Sequence, residues 1–389
     1  MTKFAARLNN LQPYFFAVLG QRLQVLRAKG IDVISLDIGS PDLPPPPRVI
    51  EVLCQSANQP ELHGYTGYRG TAEFRQAVAE YYQRRFAVDL DPETEVLPLL
   101  GSKEGIVNLS LAYLDHGDSA LVPTISYPSY SQGAYLAGGS INWLEVSEQS
   151  GYLPDLYAIN PADCVNARLL WVNYPNNPTG AIVDGEFYAA AVDFCRQHDI
   201  LLASDNPYVD VTFDTYVAGS ALQADGAKEC CIEFMSFSKT YNMGGWRLGA
   251  AVGNTEALKR LLQVKSNVDS GHFRAVYDAG VAALRETSQD WIDQRNAVYQ
   301  VRRDRILETL PKIGLHAPSP KGSLYIWARA LDMDGSQYVE AALEQAHVAF
   351  APGEAYGPGG KPFIRISLGI PDARLHEALD RLEHWYQSR

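Results

Sequence analysis

The chain has 389 residues, 46% hydrophobic and 20% charged, enough to bury a large α/β core or two domains. Its formal net charge of -12, which no run of Lys or Arg offsets, argues against a dedicated nucleic-acid surface. No apolar stretch approaches the roughly 20 residues of a membrane span, and the N-terminus lacks the pattern of a signal peptide. Cys54, Cys164, Cys195, Cys230 and Cys231 include no CxxC pair, and this odd count points to a reducing, cytoplasmic setting.

In chain order, Phe16, Leu19, Leu23, Val25 and Leu26 predict one amphipathic helix. Residues 31–38 (IDVISLDI) read as a short strand. The four prolines Pro44 to Pro47 predict an extended connector that crosses between domains. Thr71 can cap a helix in which Phe74, Val78, Tyr81 and Tyr82 recur at helical spacing. Ile106, Leu109, Leu111, Tyr113 and Leu114 mark another. The runs SALVP, ARLLWVNYP, DILLASD, CCIEFMSFS and LGAAVG predict strands, with Cys230 and Cys231 together in a buried one.

Strands alternating with helices predict an α/β fold, its mostly parallel sheet covered on both faces. Beyond about residue 285 come a long charged helix (WIDQRNAVYQVRRDRILETL), the strands SLYIWARA and FIRISLG, and a last helix. These predict a smaller α+β domain that the N-terminal segment joins. The expected division is 45–285 for the large domain, with 1–44 and 286–389 forming the small one.

Ligands of open α/β sheets bind beyond the carboxyl ends of the strands, and four motifs fall there. In LLGSKEGIVNL, Gly101, Ser102 and Lys103 open a helix whose free N–H groups form an anion site; a plain strand–helix turn explains them equally. In NYPNNPTG, Asn173 to Gly180, two adjacent amides offer donors aimed at one place, or the segment is a rigid turn. In ASDNPY, Asp205 ends a buried strand, where a carboxylate needs a cation or strong donor, or else it caps the next turn. Tyr208 can reach the same side. In SFSKTYNMGGWRLG, Ser236 and Ser238 share a strand face, Lys239 follows at its end, and Arg247 comes after a glycine-containing loop.

Two hydroxyls and a guanidinium suit a phosphate, and a desolvated lysine beside cations becomes a nucleophilic amine. A buried Asp, a lysine and a phosphate cradle are what pyridoxal phosphate asks of a protein. There is no GxGxxG after a strand, no GxxxxGK[ST], no HExxH and no GxSxG, and the eight histidines show no metal-ligand spacing. Nicotinamide, P-loop, zinc-protease and serine-hydrolase schemes therefore lack their carriers, and no metal is expected.

The motifs IGSPDLPPP, YTGYRG, GSKEG, SYPSY, NYPNNPTG, SDNPY, SFSKTYNMGGWRLG and FIRISLG follow one another across nearly the whole chain. Together they resemble the class I/II aminotransferases, pyridoxal-phosphate enzymes of the aspartate-aminotransferase-like fold. The resemblance implies that Lys239 forms the Schiff base with the cofactor and shuttles the proton. It implies that Asp205 pairs with the pyridinium nitrogen, that Tyr208 and Asn177 bond the phenolic oxygen, and that Tyr127 stacks on the ring. Ser102, Lys103, Ser236, Ser238 and Arg247 would form the phosphate cup. Tyr65 would reach the neighbouring subunit's phosphate, which implies a homodimer with shared sites. Arg365, alone a strand-end surface cation, would bind the substrate α-carboxylate beside the Gly39 backbone and Asn177.

The implied reaction is ping-pong: an amino acid leaves its amino group and departs as a 2-oxo acid, and a second oxo acid collects it. A β-lyase of cystathionine type and a non-catalytic effector-binding domain are the alternatives on this fold. GSKEG and KSNVDSGHF are most similar to the branch that holds LL-diaminopimelate, N-succinyl-diaminopimelate and alanine-type aminotransferases. Glu104 and His272 could meet a polar substrate tail; Glu104 equally suits a charge pair on its helix, and His272 a packing role.

Overall fold

The computed structural model describes residues 13–389 together with Ala5, Arg7, Leu8 and Leu11. β1 (Ile34–Ser35) belongs to the smaller domain. The large sheet follows as β2 (Val96–Leu99), β3 (Ser119–Pro123), β4 (Ser140–Leu144), β5 (Ala167–Val172), β6 (Leu201–Asp205), β7 (Cys231–Ser236) and β8 (Gly249–Gly253). The chain then returns to the smaller domain with β9 (Leu315–His316), β10 (Tyr325–Ala330), β11 (Val348–Ala349), β12 (Ala351–Pro352) and β13 (Phe363–Ser367).

The large sheet has the order β2-β8-β7-β6-β5-β3-β4. Its strands are continuous apolar runs because helices cover both faces. Leu121, Leu170, Leu202 and Val252 bury on one side; Val122, Leu169, Ala203 and Ala251 bury on the other. One strand departs from the expected parallel sheet. β8 runs antiparallel to both β2 and β7, with Gly249 opposite Leu99 and Ser236. Gly249 is required there, because a Cβ would lie 2.8 Å from the Met235 carbonyl oxygen and 3.1 Å from the Ser102 nitrogen. β2 carries Pro98, which an edge strand tolerates because one side needs no donor.

Thr71 caps the Ala72–Phe86 helix, accepting from the Phe74 N–H at 3.2 Å, and Phe74, Val78, Tyr81 and Tyr82 bury as spaced. The N-terminal helix spans Phe15–Ala28 and buries Leu19 and Leu23, while Val25 faces out. Four local expectations need correction. Of residues 31–38 only Ile34–Ser35 pair as strand. Pro47 opens the Pro47–Ala57 helix, where a first-turn proline loses no hydrogen bond, so the proline run is only partly connector. Cys230 ends a short helix, leaving Cys231 alone in buried β7. β7 stops at Ser236, so Ser238 and Lys239 lie in the one-turn helix Phe237–Thr240. β4 carried no apolar signature, since its SINWL sequence is half-exposed at the sheet edge.

The smaller domain holds the antiparallel sheet β12-β13-β10-β9 and the Gln289–Thr309 and Asp372–Gln387 helices. β1 pairs parallel with β11, which ties the N-terminal segment to it. Among the described residues no helix is long and apolar enough to cross a membrane.

Candidate active site

The reversal of β8 assembles the site. The carboxyl ends of β2, β5, β6 and β7 share one edge of the sheet, and the reversed strand brings its own start there too. Arg247, two residues before β8, therefore meets the Gly101–Ser102 turn after β2 and the serines after β7. Its Nη1 donates to the Gly244 carbonyl at 2.9 Å and lies 3.4 Å from Ser238 Oγ. Gly101 has φ 78°, and any Cβ there would collide with the Arg247 guanidinium. The helix that begins at Ser102 has no side-chain cap, so its first N–H groups remain open toward an anion.

A cavity of about 360 Å³ opens on this cup. Ser102, Lys103, Ser236, Ser238 and Arg247 line it, as do Tyr127, Asn177, Asp205, Tyr208 and Lys239, together with Gly39 and Arg365. Asp205, 3% exposed, is held by no cation among the described residues: Tyr130 Oη donates to its Oδ2 at 2.7 Å. Burial pushes its carboxyl up to about 7 against that bond, and the buried Glu233 adds to the rise. Oδ1 has no partner among the described residues. Lys239 Nζ donates to the Gly39 carbonyl. Burial holds its pKa below that of an ordinary lysine; Tyr325 opposes this, while Arg365 and Arg247 add to it.

Arg365, 3% exposed, donates to Asn177 Oδ1 at 3.0 Å and to the Asp37 carbonyl at 2.8 Å, over the Tyr325 ring at 4.0 Å. Its Nε is buried without a partner among the described residues. A strand-end surface cation would look different. The paired amides of NYPNNPTG diverge: Asn177 faces Arg365, whereas Asn176 bonds Thr179 and the Asn173 carbonyl within its own loop. Tyr208 bonds Tyr325 Oη at 3.0 Å, not Asp205.

Tyr65, expected at a neighbouring subunit's site, is 92% exposed. Glu104 and His272 lie outside the cavity. Glu104 accepts from the Leu100 N–H at 3.1 Å and from Asn108, and lies 3.6 Å from Lys265 Nζ, which is the charge-pair role. His272 sets Nε2 2.7 Å from the Arg247 carbonyl, a structural role. Sequence reasoning missed Tyr130, Tyr325 and the wall formed by Tyr14, Phe16 and Ile38. Tyr130 stood in the quoted SYPSY, one helical turn beyond Tyr127.

A family model described as aminotransferase class I and II matches residues 31–382. The chain belongs to the class I and II aminotransferases. It is 46% identical over 380 residues to an LL-diaminopimelate aminotransferase of Moorella thermoacetica, covering 97% of each chain. It superposes on the apo-BacF structure from Bacillus subtilis with a TM-score of 0.95, at 34% identity and 99% coverage of both chains. A structure of a probable N-succinyldiaminopimelate aminotransferase from Thermus thermophilus gives 0.88 at 37% identity, covering 95% of this chain and 99% of that one. The aminotransferase activity and pyridoxal-phosphate dependence expected from the sequence thus hold, and the lyase alternative does not.

The cavity of this aminotransferase fits its cofactor. The orphaned, buried Asp205 Oδ1 suits a protonated ring nitrogen, the desolvated Lys239 amine suits an aldehyde, and the uncapped helix start with Arg247 suits a phosphate.

Proposed function

We propose that this aminotransferase acts on LL-diaminopimelate or a closely related amino acid, with a 2-oxo acid as acceptor. The observation that carries this reading is the 42–46% identity, over nearly full length, to relatives named LL-diaminopimelate aminotransferase. An amino-donor panel with 2-oxoglutarate and pyruvate as acceptors tests it. LL-diaminopimelate should give the highest kcat/KM; turnover of alanine or aspartate at a hundredfold higher kcat/KM would overturn it.

Pyridoxal phosphate, when bound, supplies the electron sink that makes an amino acid's α-proton removable. The chain's residues do the rest in this reading. Ser102, Lys103, Ser236, Ser238 and Arg247 would hold the phosphate, and Tyr127 would pack on the ring. Asp205 would keep the ring nitrogen protonated, and Asn177 and Tyr208 would bond the phenolic oxygen. The planar Arg365 fork, with Nε still open, takes the α-carboxylate beside Gly39 and orients the α-carbon. Lys239 Nζ moves the α-proton, and burial, which holds its pKa below that of an ordinary lysine, favours the neutral amine this needs. Arg365→Lys keeps a charge but loses the fork, so KM for the amino acid should rise about a hundredfold while the cofactor's visible band stays. Steady-state kinetics with a visible spectrum read both.

The reading includes a cytoplasmic homodimer in which Tyr65 completes the neighbour's phosphate cup. The nearly fully exposed Tyr65, with Tyr68, Val268 and Phe273 also exposed, supports the dimer, and five free cysteines support the compartment. A monomer in sedimentation, or recovery only outside the cell, would remove those parts. The domain limits 45–285 and 286–389 with 1–44 complete it, supported by the β1–β11 pair.

A further inference from the structure

Arg295 lies on the Gln289–Thr309 helix, 3% exposed and outside the cavity. A buried guanidinium normally meets a carboxylate, because desolvating a lone charge is costly. Here the nearby Asp210 carboxylate is occupied by Tyr81 Oη at 2.6 Å and Arg85 Nε at 3.1 Å. Arg295 spends its donors on uncharged oxygens instead. Nη1 donates to the carbonyls of Lys239, at 2.7 Å, and of Thr240. Nη2 donates to the Asp210 carbonyl and to Asn296 Oδ1 at 2.8 Å, which Nε also reaches at 3.1 Å.

These partners have a pattern. The Phe237–Thr240 helix is a single turn, and the last carbonyls of any helix lack intrahelical donors. Arg295 supplies them at the residue that carries the reacting amine. Asp210 lies five residues beyond Asp205 and two beyond Tyr208. One planar fork therefore bridges the Lys239 turn and the loop that follows Asp205, and it does so from a helix of the smaller domain. An ammonium could not span both, since it lacks the fork.

We propose that Arg295 is a positioning residue, fixing the Lys239 turn against the Asp205–Asp210 loop so that the amine stays at its place in the cavity. This rests on Lys239 being the lysine that takes the cofactor. Lys239→Ala tests that separately: if that variant keeps the visible band, the reading of Lys239 fails, whatever Arg295 does.

The test compares Arg295→Met and Arg295→Lys with Arg303→Met. Arg303 is equally buried on the same helix, but bonds Asp214 and the Pro320 carbonyl. Lys239 is labelled across pH in the full chain before cofactor is added, using an amine-reactive ester read by mass spectrometry. In Arg295→Met the labelling midpoint should rise by about one pH unit, toward an ordinary lysine, as the amine leaves its desolvated place. In the loaded enzyme kcat should fall about a hundredfold, with KM for the amino donor within about threefold. Arg303→Met should lose comparable thermal stability and leave both readouts alone. A folded Arg295→Met with parental midpoint and kcat overturns the proposal, as does an equal change in Arg303→Met. If Arg295→Met does not fold, the same readouts are taken on Arg295→Lys: at least a tenfold loss of kcat at constant KM supports positioning, and a smaller loss overturns it.

Discussion

Lys239→Ala is expected to abolish the visible band that the protein gains with pyridoxal phosphate and to lower turnover by about 10⁴-fold or more. General acid–base catalysis alone accounts for about 10²–10⁴, and the variant also loses the covalent attachment. Among the described residues no second amine replaces it: Lys103, the other described lysine lining the cavity, sets its Nζ 3.9 Å from the Tyr14 ring centroid. The fold should tolerate the change, because Lys239 is half-buried and its one side-chain hydrogen bond among the described residues is to the Gly39 carbonyl. Absorbance spectra, a transamination assay and a thermal melt separate these effects. A variant that melts with the parent but shows neither band nor turnover fits the assignment. A variant that keeps the band would move the covalent anchor elsewhere, and a parent protein that gains no band would remove the cofactor itself.

Much of the site was legible because its residues follow apolar runs. β5, β6 and β7 announce themselves as continuous hydrophobic segments, and the polar residues at and just beyond their ends fall at the sheet's carboxyl edge. Asp205 ends β6, while Lys239 and Asn177 lie three and five residues past β7 and β5; the runs give the edge, and the resemblance implies the roles. Arg247 is different. Its run, LGAAVG, looks like any other strand, and nothing in it states direction. Only pairing on both sides with β2 and β7 reverses it, and a parallel β8 would put Arg247 at the opposite edge. Arg247 was read into the phosphate cup from the hydroxyls and guanidinium of its motif, which the resemblance also implies; periodicity alone gives no direction for β8. Tyr130 and Tyr325 were illegible for another reason. Each joins the site through a contact between elements distant in sequence, the Ser129–Ala137 helix against the end of β6 and β10 against the Tyr208 loop. Glu104 was ambiguous instead. Its place at the start of a helix suited a substrate tail and a charge pair equally, and the buried Lys265 with the Leu100 N–H shows the charge pair.

Asp205→Asn is expected to change how stability depends on pH as well as turnover. In the cofactor-free protein the folded-state pKa is about 7, raised by burial from an ordinary 3.8. Between those values the folded state holds a proton that the unfolded chain releases. Stability therefore falls as pH rises through that window, by up to about 1.4 kcal/mol per unit from this group. Asparagine carries no titrating proton and can still accept from Tyr130. The variant should match the parent near pH 4 and exceed it increasingly up to pH 8. Glu233, also raised by burial, titrates in both proteins, and because it interacts with Asp205 the difference between them reports Asp205 together with that coupling. Urea denaturation of both cofactor-free proteins at pH 4, 6 and 8 reads it, and parallel slopes would refute the assignment. Loading should reverse the ranking. A protonated ring nitrogen offers Oδ1 its missing partner and a counter-charge, which favours the carboxylate. Asparagine cannot neutralise that charge, so turnover should fall by about 10²–10³-fold, as when one preorganised contact to developing charge is removed. Cofactor binding should then stabilise the parent more than the variant at pH 8. The carboxylate that lowers the empty protein's stability there is, in the proposed reading, the same group that would hold the ring nitrogen protonated.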